Sequence, residues 1–204
     1  MKKLAFVLFA LMFFPTASFA LSLDAEGLWR PYIVLDYQFS FGTVIVQKPD
    51  KIPGWNLDRA TAWGGLFNIG LGVKHKRLRA DITYLARASV NGTLSWLATG
   101  VVSATSEEGV ICNLYYEFVS SRIFQMYLGG GLGISNWEQN TAYLWEGSDH
   151  TYNRKGSSLM EGFCMGMSFT IKNHFSIDLG FNYYHTEEID MGSFGLKLGT
   201  RYTF

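Results

Sequence analysis

Charge is sparse in this sequence. Charged residues make up 17% of its 204 positions, against roughly 25% in soluble domains. The 17 cations balance the 17 anions, so there is no electrostatic case for nucleic acid as a partner. Cysteine is limited to Cys112 and Cys164, too few for a disulfide scaffold. The four histidines are dispersed (His75, His150, His174, His185), which speaks against a metal cluster, and no cofactor is expected. Beyond the first twenty residues no stretch approaches ~18 uninterrupted apolar positions, which excludes a membrane-spanning helix. A sustained 3.6-residue apolar stripe is missing too, which excludes a helical domain. The length suits one domain.

The first twenty residues stand apart. Lys2 and Lys3 precede the apolar run LAFVLFALMFF, Pro15 interrupts it, and Ser18-Phe19-Ala20 offers small residues at a cleavage site. This is the pattern of a secretory signal peptide over 1–20. It leaves residues 21–204 as the mature chain, delivered outside the cytoplasm.

What is present is period two, repeated eight times. YIVLDYQFSF (32–41), WGGLFNIGLGVK (63–74), LRADITYLARA (78–88) and VICNLYYEFV (110–119) alternate apolar with polar or small residues. So do IFQMYLGGGLGIS (123–135), SLMEGFCMGMSFTI (158–171), FSIDLGFNYYHT (175–186) and GSFGLKLGTRYTF (192–204). Three connections are about three residues long, near 75–77, 120–122 and 172–174. Those at 42–62, 88–109 and 136–157 are long, with a shorter one near 187–191. The expectation is all-β: an eight-stranded antiparallel up-and-down barrel, with the short turns at one end and the long loops at the other.

The two faces decide what surrounds that barrel. The polar face carries eleven glycines of these strands, including Gly70, Gly72, Gly129, Gly131, Gly166 and Gly199. Glycine suits a crowded interior and weakens a solvated strand. The apolar face gathers aromatics near both strand ends, with aliphatic residues between them. Two girdles flanking an aliphatic belt characterise transmembrane β-barrels of the outer membrane. The inward face then carries Asp36, Lys74, Arg79, Asp81, Arg87, Glu117, Asp178, Lys197 and Arg201. Four acids against five bases read as a structural network filling a lumen too narrow for a wide pore. A narrow ion-conducting pore is the alternative.

GSFGLKLGTRYTF resembles the C-terminal sorting strand of outer-membrane proteins, and that resemblance implies that Tyr202 and Phe204 belong to the signal read by the barrel-assembly machinery. YLGGGLGIS (127–135) and IDLGFNYYH (177–185) look like strands of the small eight-stranded outer-membrane barrels, the group of OmpA-type transmembrane domains and opacity-type surface proteins. The resemblance implies a bacterial outer-membrane location, periplasmic termini and extracellular long loops. The peptidoglycan-binding role of OmpA-type proteins with a further domain is not implied here.

Three readings of function follow, of which the narrow pore for ions or small solutes is the second. The first is a structural and surface-interaction role, with loop contacts from Trp55, Trp137, Tyr143, Trp145 and Tyr152. Tyrosine and tryptophan among adaptable polar groups suit protein contact. The expected partners are outer-membrane lipid and lipopolysaccharide, the assembly machinery, and a host or environmental surface ligand; the barrel is expected to be a monomer. The third is enzymatic, a lipid A-modifying barrel. Lipid A deacylase barrels are similar in size and use a His-x-Ser pair with a nearby acid, but the position two after His185 is Glu187. Enzyme activity is therefore not expected.

Overall fold

The computed structural model describes residues 29–46, 58–96, 99–145, 148–172 and 174–204. The signal segment 1–20 and Trp55 lie outside them. Eight strands follow one another: β1 (Arg30–Val46), β2 (Asp58–His75), β3 (Leu78–Trp96), β4 (Thr99–Ser120), β5 (Phe124–Trp145), β6 (Ser148–Lys172), β7 (Phe175–Thr186) and β8 (Met191–Thr203). Each pairs antiparallel with its neighbours, and β1 pairs with β8 from Tyr32↔Thr203 to Thr43↔Gly192, which closes the barrel.

The register fixes the shear. Crossing the sheet from Tyr32, the partners are Gly72, Asp81, Asn113, Gly131, Gly162, Tyr184, Ser193 and finally Gly42. The circuit returns to β1 at a position 42 − 32 = 10 residues from its start. A stagger of this kind obliges the strands of an eight-stranded barrel to tilt by roughly 35–45° from the axis.

Alternation puts the apolar set outside. Leu35, Tyr37, Phe39, Ile69, Ile82, Leu114, Leu132, Met165, Leu179, Phe181, Leu196 and Leu198 are exposed, while the residues between them are buried in the lumen. On β5 this belt runs from Phe124 to Ile134, and the next outward residues are Asn136, Glu138 and Asn140. Ten steps at ~3.4 Å, tilted as above, give a band about 26 Å tall, the height of the apolar band of an outer-membrane barrel. Aromatics mark its edges. Phe124 and Phe169 meet at 5.3 Å near the short-turn end, and Phe41 and Trp63 at 4.4 Å near the other.

The long connections differ from expectation. Residues 88–96, 99–109, 136–145 and 148–157 are not loop but strand. The hairpin of β5 and β6 continues past the belt for eleven more pairs, Ser135↔Ser158 to Trp145↔Ser148, about 36 Å along the strand. These segments lose the apolar alternation because their outward face meets water rather than lipid.

Candidate functional site

The lumen is filled in layers. Nearest the short turns, Glu117 lies at the centre of a charge network. Lys74 Nζ donates to both of its carboxylate oxygens (2.8 and 2.7 Å), Arg79 Nε lies 3.3 Å away and Arg201 Nη1 3.9 Å. Asp178 takes the other side of both guanidiniums, at 3.8 Å from Arg79 and 3.6 Å from Arg201. The Arg79 guanidinium also lies over the Tyr115 and Tyr127 rings, 4.8 and 4.4 Å from their centroids. Such cation–π contacts strengthen when desolvated. Asp81 is held differently, by neutral donors alone: Tyr32 OH (3.0 Å), Thr83 Oγ1 (3.0 Å) and Asn113 Nδ2 (2.8 Å). One storey up, Lys197 Nζ reaches Asp36 Oδ2 at 2.9 Å.

Glycine makes room for these side chains. A Cβ on Gly72 would meet the Tyr32 ring and the Ala80 carbonyl, and one on Gly166 the Tyr127 hydroxyl. The inward glycines are therefore sockets for lumenal tyrosines, which is a packing requirement rather than a conformational one.

Above the charges lies an apolar cluster of Leu66, Leu85, Ile111, Met160 and Tyr184. Beside it sit the carboxamides of Gln38, paired with Leu66, of Asn68, paired with Leu85, and of Asn182, whose Nδ2 donates to Tyr184 OH at 3.3 Å. None of these eight residues exceeds 6% exposure, so side chains fill the cross-section at this level. A second polar layer closes the long-hairpin end of the lumen. Arg87 Nη1 lies 3.2 Å from Glu107 Oε2, Arg87 Nη2 donates to Ser193 Oγ (2.7 Å), and Thr186 Oγ1 donates to Glu107 Oε1 (2.7 Å).

All nine charges read from the sequence thus point inward, and the structure adds Glu107 as a tenth. That residue belongs to 88–109, taken from the sequence as loop. Its signal was the inward register of Thr105, Glu107 and Gly109, hidden by the polar outward neighbours Ser106 and Glu108.

The second feature is a wall. Strands β3 to β6 have 19, 22, 22 and 25 residues, whereas β7 and β8 have 12 and 13. Half of the barrel therefore rises beyond the belt while the β7–β8 side stops at its rim. Above Leu159, whose carbonyl accepts from Glu187 N at 3.2 Å, β6 pairs with β5 alone among the described residues. The outer surface of this wall is a polar ladder. Asn153 Nδ2 donates to Glu138 at 2.8 Å, Asn140 Nδ2 reaches the same carboxylate oxygen at 3.4 Å, and Ser157 Oγ donates to Asn136 Oδ1 at 2.6 Å. The two asparagine bonds hold the Glu138 carboxyl below the usual carboxylate range.

The aromatic residues expected as loop contacts need correction here. Trp137 is on β5, points inward and is only 4% exposed, with Arg154 over its ring at 5.6 Å. It packs the wall and presents no contact surface, because an odd-numbered position on β5 faces the lumen side. Tyr143 and Trp145 also fall on β5 and Tyr152 on β6, strands rather than loops, and of these Tyr152 is exposed. At the short-turn end Tyr202 and Phe204 point outward with rings 5.2 Å apart. Phe204 N donates to the Pro31 carbonyl at 3.0 Å. Cys112 is exposed on the outer face and Cys164 buried in the lumen, and both are free.

A closed barrel with a charge-balanced lumen and an apolar outer belt defines a transmembrane β-barrel of the outer membrane. The sequence matches the outer membrane protein beta-barrel domain family over residues 6–202, and the chain belongs to that family; its place is therefore the bacterial outer membrane. Among solved structures it is similar to Neisserial surface protein A, at 17% identity over 85% of this chain and 97% of that one, with a TM-score of 0.57. It is also similar to the outer membrane protein OprG from Pseudomonas aeruginosa, at 12% identity over 89% and 99%, with a TM-score of 0.51. At such identities the likeness is one of fold. No curated protein matches the chain.

Proposed function

We propose that this barrel is a non-conducting surface protein. The short-turn end, with both chain termini, faces the periplasm, and the β3–β6 wall stands outside the cell as an interaction surface. The observation that carries the reading is the asymmetry of strand length. A strand needs only ~9–11 residues to span the membrane, and β6 has 25. Membrane anchoring does not account for the excess, and much of it offers unpaired β6 edge to which an extended segment of another protein can add by strand pairing. Lipopolysaccharide sugars would border the polar ladder of Asn136, Glu138, Asn140 and Asn153. Assembly is assigned to the barrel-assembly machinery acting on the Tyr202 and Phe204 strand, and the working state to a monomer.

Neither a pore nor an enzyme is part of this reading. What supports the non-conducting reading is that the apolar cluster and the carboxamides are all buried in the middle of the lumen. Beside His185 the nearest carboxylate is that of Asp190, with Oδ1 3.9 Å from Nδ1, and no serine stands two residues on.

The test is to shorten the β5–β6 hairpin by removing residues 138–155 and to display both forms on cells lacking other adhesins. Adhesion to epithelial cells, matrix proteins and complement factors is then measured beside planar-bilayer conductance. Loss of adhesion from the shortened form, with no unitary conductance in either, is the expected result. Undiminished adhesion would remove the wall from function, and steady conductance steps in the intact protein would make it a pore.

A further inference from the structure

The formal charge of the chain is zero, but the described residues of its short-turn end carry an excess of exposed cations. Around the short turns every described acid is internal: Asp81, Glu117 and Asp178 are all buried in the lumen. The cations Arg30, Lys76, Arg77 and Arg122 are all exposed, and none has an ion-pair partner among the described residues. They form one arc. Arg30 starts β1 opposite Lys74 on β2, and Lys76-Arg77 is the β2–β3 turn. The Arg77 carbonyl accepts from Glu117 N on β4 at 2.8 Å, and Arg122 occupies the turn that follows β4. The arc lies just beyond the girdle of Trp29, Phe118 and Phe124, the depth at which headgroups begin.

The β2–β3 turn supplies an independent observation. His75 pairs with Leu78, so the loop has two residues, and Lys76 sits in the left-handed region at φ 53°. Two-residue hairpins favour Asn or Gly at such a position, because a Cβ is strained there. A lysine in that place sacrifices turn stability for a cation, and strain of this sort collects at functional sites.

We propose that this arc is a docking surface for anionic glycerophospholipid headgroups of the leaflet at the short-turn end, which the orientation given above makes the inner, phospholipid leaflet of the outer membrane. The inference rests on that orientation only for the identity of the leaflet. Exposed guanidinium and ammonium groups, without an ion-pair partner among the described residues and set at headgroup depth, supply the donors that a phosphodiester oxygen accepts. The lumenal acids cannot compete, being held by lumenal partners.

The experiment reconstitutes the purified barrel in nanodiscs of mixed phosphatidylethanolamine and phosphatidylglycerol, and native mass spectrometry counts the lipids that stay bound. The wild type should retain phosphatidylglycerol in preference. Removing one cation should lower the preference roughly fivefold, and raised salt should lower it as well. Lys76→Gly is the decisive variant, since glycine relieves the turn and the barrel should fold at least as well as its parent. The combined Arg30→Gln, Lys76→Gln, Arg77→Gln and Arg122→Gln variant should bind both lipids alike. An unchanged ratio in Lys76→Gly and the combined variant, or no preference in the wild type, would overturn the proposal. Orientation is read separately, by labelling Lys76→Cys on intact cells with a membrane-impermeant maleimide in a Cys112→Ser, Cys164→Ser background. Labelling there would refute the orientation and leave the nanodisc result standing.

Discussion

Deleting the two ends of one ion pair should have unequal effects. Glu117 is fully buried, whereas the Lys74 side chain keeps 21% of its surface and sits next to the short-turn rim. In Lys74→Met, Glu117 still has Arg79 at 3.3 Å, Arg201 at 3.9 Å and the Ser120 hydroxyl at 3.3 Å. The loss is that of a partly solvated ion pair, about 1 kcal/mol. In Glu117→Ala, Lys74 can turn its ammonium into water, but Arg79 and Arg201 cannot, being only 4% and 2% exposed. Two guanidiniums would then share Asp178 as their one ion-paired carboxylate among the described residues, at 3.8 and 3.6 Å. Removing one partner of a buried network costs about 3–5 kcal/mol, and a smaller loss is expected for Glu117→Gln, which keeps an acceptor for Lys74. Urea unfolding of the barrel refolded into phosphatidylcholine vesicles, followed by tryptophan fluorescence and by gel mobility without boiling, measures each value. Equal losses from Lys74→Met and Glu117→Ala would refute the argument, since they would mean that the pair is equally wet at both ends.

Three further outcomes can be checked in the same assay or beside it. Leu179→Arg, in the middle of the lipid belt, should cost about 2–4 kcal/mol, and Asn140→Arg, outward on the wall above the belt, close to nothing; similar losses would misplace the membrane. Gly72→Ala drives a methyl against the Tyr32 ring and the Ala80 carbonyl and should cost about 1–3 kcal/mol as overpacking, part of which Tyr32→Leu should restore; a neutral Gly72→Ala would mean that Tyr32 is not held in that socket. Removing Phe204 should lower the fraction of protein that shows heat-modifiable mobility in outer membranes, and an unchanged fraction would separate Phe204 from assembly.

The extent to which sequence revealed structure follows the lipid. Within the belt, Leu35, Tyr37 and Phe39 alternate with Asp36, Gln38 and Ser40, and that contrast announces both the strand and its inner face. Above the belt the contrast fades. In NWEQNTA the outward Asn136, Glu138 and Asn140 are as polar as the inward Gln139 and Thr141, so a continuous strand reads as a loop. The same fading contrast makes Trp137 read as a loop contact and hides Glu107 among polar neighbours. The apolar cluster was hidden by another cause. Leu66, Leu85, Ile111 and Met160 each look like a single exception on a polar face, and only the register brings them to one level. The turn cations are plainly visible in HKR and SSR, but that Asp81, Glu117 and Asp178 all turn inward is a property of the folded chain alone.

The seam between β1 and β8 couples electrostatics to closure of the barrel. Five lumenal acids (Asp36, Asp81, Glu107, Glu117, Asp178) face five lumenal cations, of which Lys197 and Arg201 both arrive with β8. Without β8, three cations would oppose five acids on the concave face. An opened seam would therefore leave a negatively charged lumenal face, which hydrocarbon disfavours. Charge neutrality of the lumen is thus a property of the closed ring and not of the seven strands before β8.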